Sequence, residues 1–229
     1  MIAGAAAAAL GILLRLPAAR GVPKHAEYAA RWDPSAGGPA TAAEVLGRLG
    51  LEASGAGTAC EVRYYDLPAP AGAPRGAAVI LRRRVCDDGT AEIRLKYRTD
   101  RPVDAWACPA GLHFSAKSEV DVGLGAEAPS RVYAYACTVS EGVPPPPLRA
   151  VAKSCAARMT RVSARSADGR QLKVEEWSLP GGARRLEISR TDADEVDALA
   201  AFERLVERLR AAGARFLAES KTELGSRCP

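Results

Sequence analysis

The chain has 229 residues, 48% of them hydrophobic and only 5% aromatic, with a formal net charge of +5. That length suits one β-rich domain of ordinary size, since two separate cores would each be small. Charges of both signs are spread along the chain, a pattern that suits a solvated surface and speaks against a nucleic-acid binder.

Ile2 to Leu14 is an uncharged run rich in Ala and Leu, followed by Arg15 and by small residues at Pro17-Ala18-Ala19. It is short for a bilayer span, and the small residues resemble a signal-peptidase site. Residues 1–20 therefore read as a cleaved export signal and 21–229 as a single domain, with no stable membrane insertion after cleavage. The run lacks a positive leading segment, which leaves open a start with no export role. Lys24 to Asp33 reads as a first strand. Pro34 to Pro39 is a loop, and Thr41 is placed to cap a short helix, Ala42 to Leu49, that Gly50 closes.

From Val62 to Arg98 the chain spells two strands around Asp87-Asp88-Gly89, a polar turn of the hairpin kind. Side chains alternate on a strand, so Glu92, Arg94, Lys96 and Arg98 share one face while Ile93, Leu95 and Tyr97 share the other. On the preceding strand Ile80, Arg82 and Arg84 lie together. So many guanidiniums on sheet positions either meet water or line a polar cavity that holds an anion. If Asp66 sits opposite Val79, the antiparallel register brings Cys60 near Cys86, within bridging reach. Four further cysteines, Cys108, Cys137, Cys155 and Cys228, allow several pairings, among them Cys108 with Cys137 and Cys155 with Cys228. The alternative is six buried thiols in a reducing compartment.

Thr99 to Gly111 is irregular. Lys117, Glu119 and Asp121 then alternate with Ser118, Val120 and Val122, which predicts a strand with acidic groups on one face. Arg131 to Val139 is a further strand. Gly142 to Pro147 carries four prolines and reads as a stiff connector. Leu148 to Arg158 reads as helical and Met159 to Ser166 as extended. After the Asp168-Gly169 turn, Leu172 and Val174 alternate with Lys173 and Glu175. Pro180-Gly181-Gly182 turns the chain into Arg184 to Arg190, where Glu187 and Ser189 share a face. Asp194 to Ala212 has apolar residues at Val196, Leu199, Phe202, Leu205, Val206 and Leu209, the spacing of an amphipathic helix stopped by Gly213.

Three segments in order, Tyr64-Tyr65-Asp66-Leu67-Pro68, Leu81-Arg82-Arg83-Arg84 and Ile93-Arg94-Leu95-Lys96, resemble the CYTH, or triphosphate tunnel, superfamily. The resemblance implies an α+β fold: an antiparallel, closed or nearly closed β-barrel with flanking helices, including a long C-terminal one. It implies an anionic small-molecule partner, a triphosphate or polyphosphate, held by Arg82, Arg84, Arg94, Lys96, Arg161 and Lys221. It implies Mg2+ or Mn2+ on Glu27, Glu119, Asp121, Glu175 and Glu187, with Lys96 and Glu187 as catalytic groups. Glu219 to Glu223 resembles the closing strand of the family, whose lysine reaches the tunnel. The chain departs from the pattern where two ExE pairs are expected, at Ala29 beside Glu27 and at Ser189 beside Glu187. Fewer oxygen ligands mean weaker divalent-metal binding.

Sequences for a P-loop, a GxSxG elbow, an HExxH helix or a CxxC pair are missing, and His25 and His113 are too few for a histidine metal site. Three functions follow: an exported, periplasmic or extracellular triphosphatase; an exported tunnel protein that binds an anion without cutting it; or an envelope protein whose charged strands are merely solvated. The third requires Arg82, Lys96 and Glu187 on outer or unrelated faces.

Overall fold

A computed structural model describes residues 22–109, 115–125, 128–139 and 150–228. The expected export signal and the Gly142 to Pro147 connector lie outside the described residues.

Ten strands form one sheet: β1 (His25–Trp32), β2 (Thr58–Asp66), β3 (Ala78–Cys86), β4 (Ala91–Thr99), β5 (Ser115–Leu124), β6 (Ser130–Val139), β7 (Val151–Ala152), β8 (Ala157–Arg165), β9 (Gln171–Ser178) and β10 (Arg184–Ala193). Among the described residues three α-helices accompany them, α1 (Ala42–Leu49), α2 (Val196–Ala211) and α3 (Lys221–Gly225). The strands run β3-β4-β6-β5-β1-β10-β9-β8-β2, and β2 pairs back onto β3, which closes the ring. Closure removes the free sheet edges that would otherwise need protection. Two-residue β7 pairs with Tyr65 and Asp66, beyond the stretch of β2 that pairs with β8.

The barrel is mixed, and this corrects the antiparallel expectation. β1 pairs antiparallel with β10 on one side but parallel with β5 on the other, Glu27 opposite Asp121. Hairpin logic reads only neighbours in sequence, so a parallel contact made across three intervening strands is invisible to it.

Two local readings also change. Residues 150–158 are extended and not helical, because Val151, Ala152 and Arg158 find ladder partners on β2 and β9. The 219–223 tail is no closing strand. Ser220 accepts from the Glu223 amide while the Glu223 side chain accepts from the Ser220 amide, and this reciprocal cap starts α3. The helix α1 has the expected bounds, capped by Thr41, with Gly50 in the left-handed region at φ 63°.

Alternation splits each strand into a core face and a lumen face. Outside the ring, Tyr28, Trp32, Leu172, Val174, Leu186 and Ile188 pack under α1 and α2 against Val45, Leu46, Phe202, Val206 and Leu209. On the opposite outer wall Leu81, Ile93, Leu95, Tyr97 and Tyr135 pack under Trp106. A third apolar cluster, Cys60, Val62, Tyr64, Met159 and Trp177, stands on strand positions facing inward and, with Leu179 just past β9, meets Leu224 of α3. Part of the barrel interior is therefore apolar, and the charged part lies beside it.

Disulfides join Cys60 to Cys86, Cys108 to Cys137 and Cys155 to Cys228. The β2–β3 register is one residue on from the expected one, and it sets Cys60 directly opposite Cys86, with Cα atoms 3.9 Å apart. The Cys155–Cys228 bridge fastens the chain just after α3 to the segment leading into β8. Among the described residues no helix is long and apolar enough to cross a membrane.

Candidate functional site: a charged barrel lumen

The inward faces of the strands enclose a cavity of about 800 Å³. Among the described residues, eleven Arg and Lys side chains line it against six carboxylates. The ladder registers explain the convergence. Arg82 stands opposite Arg94 and Arg84 opposite Glu92 across β3–β4. Arg31 stands opposite Glu187 across β1–β10, and Arg161 opposite Glu175 across β8–β9. A pleated sheet puts directly paired residues on the same face, so each pair points one way, into the ring.

On the β3–β4 wall a single carboxylate serves three guanidiniums. Glu92 lies 3.1 Å from Arg84, 3.5 Å from Arg94 and 3.6 Å from Arg82. Nε of Arg82 is buried with no hydrogen-bond partner. Burial, with Arg161, Arg82 and Arg94 close by, pulls Arg84 down to about 10, against the opposing pull of Glu92. Burial and Arg82 likewise lower Arg94. Burial of Arg82 is outweighed by Tyr64, Glu92, Glu175 and Glu27, which raise it, so the local excess of positive charge falls on Arg84 and Arg94.

Three carboxylates gather on the β1–β5 side. Oxygens of Glu27, Glu119 and Asp121 lie within 4.8 Å of one another. Lys96 Nζ donates to Asp121 at 2.9 Å and to Glu119 at 3.4 Å, and Arg98 Nε donates to Asp121 at 3.0 Å. Burial alone would raise Glu27, but Lys221 and Lys96 draw it down to about 2, so it is ionised at neutral pH. Hard divalent cations choose such an all-oxygen set, and the trio fits Mg2+ or Mn2+.

Glu175 and Glu187 are placed differently. Glu175 accepts from Arg161 at 2.6 and 2.9 Å, from Lys221 at 2.9 Å and from the Trp177 indole at 3.0 Å. Burial opposes its ionisation, yet Lys221 and Arg161 hold it well below the usual carboxylate range. Glu187 accepts from Arg31 at 2.5 Å and from Lys221 at 2.7 Å. Lys221, delivered by α3, thus bridges two strands, and burial is outweighed by Glu175, Glu187 and Glu27 in keeping it protonated.

Of the eleven residues expected at the site, Glu27, Arg82, Arg84, Arg94, Lys96, Asp121, Arg161, Glu175 and Lys221 line this cavity, and Glu119 and Glu187 lie behind it, paired with Lys96 and with Arg31 and Lys221. Glu92, Arg31, Arg98 and Lys173 line or serve the same space and were not expected to act there. Their signal was the alternation itself, which puts Glu92 and Arg98 beside Arg94 and Lys96, and Lys173 beside Glu175. Ala29 and Ser189, which stand at the two missing carboxylates, are direct cross-strand partners.

A closed barrel with an ionic lumen is the architecture that the resemblance to the triphosphate tunnel proteins implies. No protein-family model matches the chain, and no curated protein matches it in sequence. Among solved structures it is similar to HpAC1 from Hippeastrum, a proposed adenylyl cyclase with a dominant triphosphatase activity. The identity is 13%, the match spans 90% of this chain and 98% of that one, and the TM-score is 0.55. A conserved hypothetical protein from Pyrococcus furiosus matches at 12% identity over 86% of this chain and 99% of its own, with a TM-score of 0.48. A proposed adenylate cyclase from Vibrio parahaemolyticus matches at 12% over 88% and 97%, with a TM-score of 0.44.

Proposed function

We propose that this chain is an exported protein that binds a triphosphate-type anion in its barrel lumen and hydrolyses it with Mg2+ or Mn2+. The observation that carries the reading is one cavity in which an under-neutralised arginine cluster faces a compact carboxylate trio. The triphosphatase activity of the Hippeastrum protein that shares the fold agrees with it, and three disulfides agree with an oxidising compartment.

Arg82, Arg84 and Arg94 hold the phosphate chain by charge-assisted, bidentate contacts, which are stronger than neutral ones, while Arg161 is committed to Glu175. Glu27, Glu119 and Asp121 hold the metal, which when bound supplies positive charge to phosphoryl oxygens and acidifies its water. Lys96 sits at the junction, 2.9 Å from Asp121 and two residues from Arg94 on the same strand. It places the terminal phosphoryl group between the trio and the arginines. Water oxygen bonds to the terminal phosphorus as the bridging P–O bond breaks, the water's proton is released to solvent, and the shortened chain leaves with its negative charge spread over the arginines. Glu187 has both oxygens engaged, so it serves as a positioning residue for Arg31 and Lys221 and not as a base.

Phosphate release from tripolyphosphate in the presence of Mg2+ or Mn2+, lost in Lys96→Ala, is the test. Absence of release with every divalent metal tried would sink hydrolysis. A second reading, binding without turnover, is favoured by one observation: Ala29 and Ser189 face each other where the resemblance expects carboxylates. It predicts that tripolyphosphate raises the unfolding temperature while no phosphate appears.

A further inference from the structure

Of the eleven basic side chains that line the cavity, ten are in ion pairs with carboxylates of the protein. Lys173 is the exception among the described residues: it makes no ion pair and no side-chain hydrogen bond. Its neighbours explain why. Its ladder partners are Ser189 on β10 and Ser163 on β8, both short and neutral, and Ser189 is in turn opposite Ala29. The residues that could have neutralised it are absent on both flanking strands. An ammonium in such a place, half-buried at the cavity wall, loses hydration without gaining a partner, which costs free energy unless something anionic arrives. Burial accordingly lowers its pKa, and the nearby Arg161 adds to the effect against the pull of Glu27 and Glu175.

We propose that Lys173 is an anion ligand of the lumen, a fixed ammonium that contacts phosphoryl oxygens on the side of the cavity where Ala29 and Ser189 provide no carboxylates for a second metal. The inference rests on the triphosphate reading above. A site of this design takes one divalent cation at Glu27, Glu119 and Asp121, and a lysine two strands along from Glu27 supplies the remaining positive charge. A point charge on a flexible stem suits a tetrahedral phosphoryl group, because it makes no demand on bidentate geometry.

The experiment is calorimetric titration of the full chain with tripolyphosphate in EDTA, so that binding is read without turnover, followed by titration with Mn2+ in the absence of the anion. Lys173→Met keeps the stem and removes the charge; Lys173→Arg keeps the charge. Lys173→Met should weaken tripolyphosphate at least tenfold, about the worth of one charge-assisted contact. Lys173→Arg should retain most of the affinity, Mn2+ affinity should not fall in either variant, and the unliganded Lys173→Met protein should unfold at the same or a higher temperature. That last readout separates the proposal from a structural role, which would lower it. If the parent chain binds tripolyphosphate and Lys173→Met binds it equally well, Lys173 is no ligand and the triphosphate reading stands without it. If the parent chain binds no tripolyphosphate, both fall together. Should Lys173→Met fail to fold, Ser189→Glu offers the same test from the facing strand: its carboxylate would neutralise Lys173 and must cost the same tenfold.

Discussion

Two walls of one cavity are built from the same residue types and do opposite things. On β3–β4, Glu92 is shared by Arg82, Arg84 and Arg94 at 3.1 to 3.6 Å, and buried nitrogen is left over. On β8–β9–β10, Glu175 and Glu187 are matched by Arg31, Arg161 and Lys221 at 2.5 to 2.9 Å, with both carboxylates almost wholly buried. The first wall has charge to offer a guest. The second spends its charge on itself, so its ion pairs belong to the architecture. Proximity to a cavity is thus a poor guide to role, and the ratio of cations to carboxylates is a better one.

Four substitutions or titrations test that contrast. The largest effect should come from Glu175→Ala, which takes from Arg161 its carboxylate partner and leaves Lys221 with Glu187 alone. Breaking one side of a buried pair costs about 3–5 kcal/mol, readable in denaturant unfolding, and an unchanged midpoint would show the second wall to be solvated. Arg94→Ala on the first wall should barely alter the unfolding midpoint yet weaken tripolyphosphate by about 1.5–3 kcal/mol, the range for a hydrogen bond to a charged group. Equal losses of stability in the two variants would erase the distinction. Glu27→Gln, which keeps shape and removes one oxygen charge from the trio, should lower Mn2+ affinity by at least about tenfold while leaving metal-free tripolyphosphate binding intact. The smallest effect is on pH dependence. Glu175 has its folded pKa depressed from the ordinary 4.5. Its contribution to stability is therefore complete above 4.5 and lost as the pH falls below that value. Acid unfolding of Glu175→Ala should be correspondingly shallower, and a steeper profile would reverse the assignment.

Much of this was legible in the chain. Alternation through Glu92 to Arg98 fixes which side chains share a face, and the Cys60–Cys86 bridge follows from folding that hairpin back on itself. Thr41 and Gly50 marked α1 at both ends. Other features are written nowhere locally. The β1–β5 pairing joins strands about ninety residues apart, and only that contact brings Glu27 to Glu119 and Asp121. The division of the carboxylates into a metal-type trio and an ion-paired couple depends on where α3 delivers Lys221, a three-dimensional fact. The α3 helix itself was legible as Ser220-Lys-Thr-Glu223, a capping box, but likeness to a closing strand outweighed the local chemistry. The value of Lys173 was hidden for a similar reason: its isolation is a property of Ser163, Ser189 and Ala29, residues on three other stretches of chain.

The place of β1 in the ring has a consequence for assembly. It is the first strand of the barrel in sequence, yet its two flanks are β5 and β10, so the segment that carries Glu27 keeps one edge open until β5 has followed and the other until nearly the whole domain has been made. Contacts of such long sequence separation slow folding. The pairing of β1 with β10 brings Arg31 to Glu187 as it forms that part of the wall. Competence to take up an anion should therefore arise in one late kinetic step, together with native burial of Trp32.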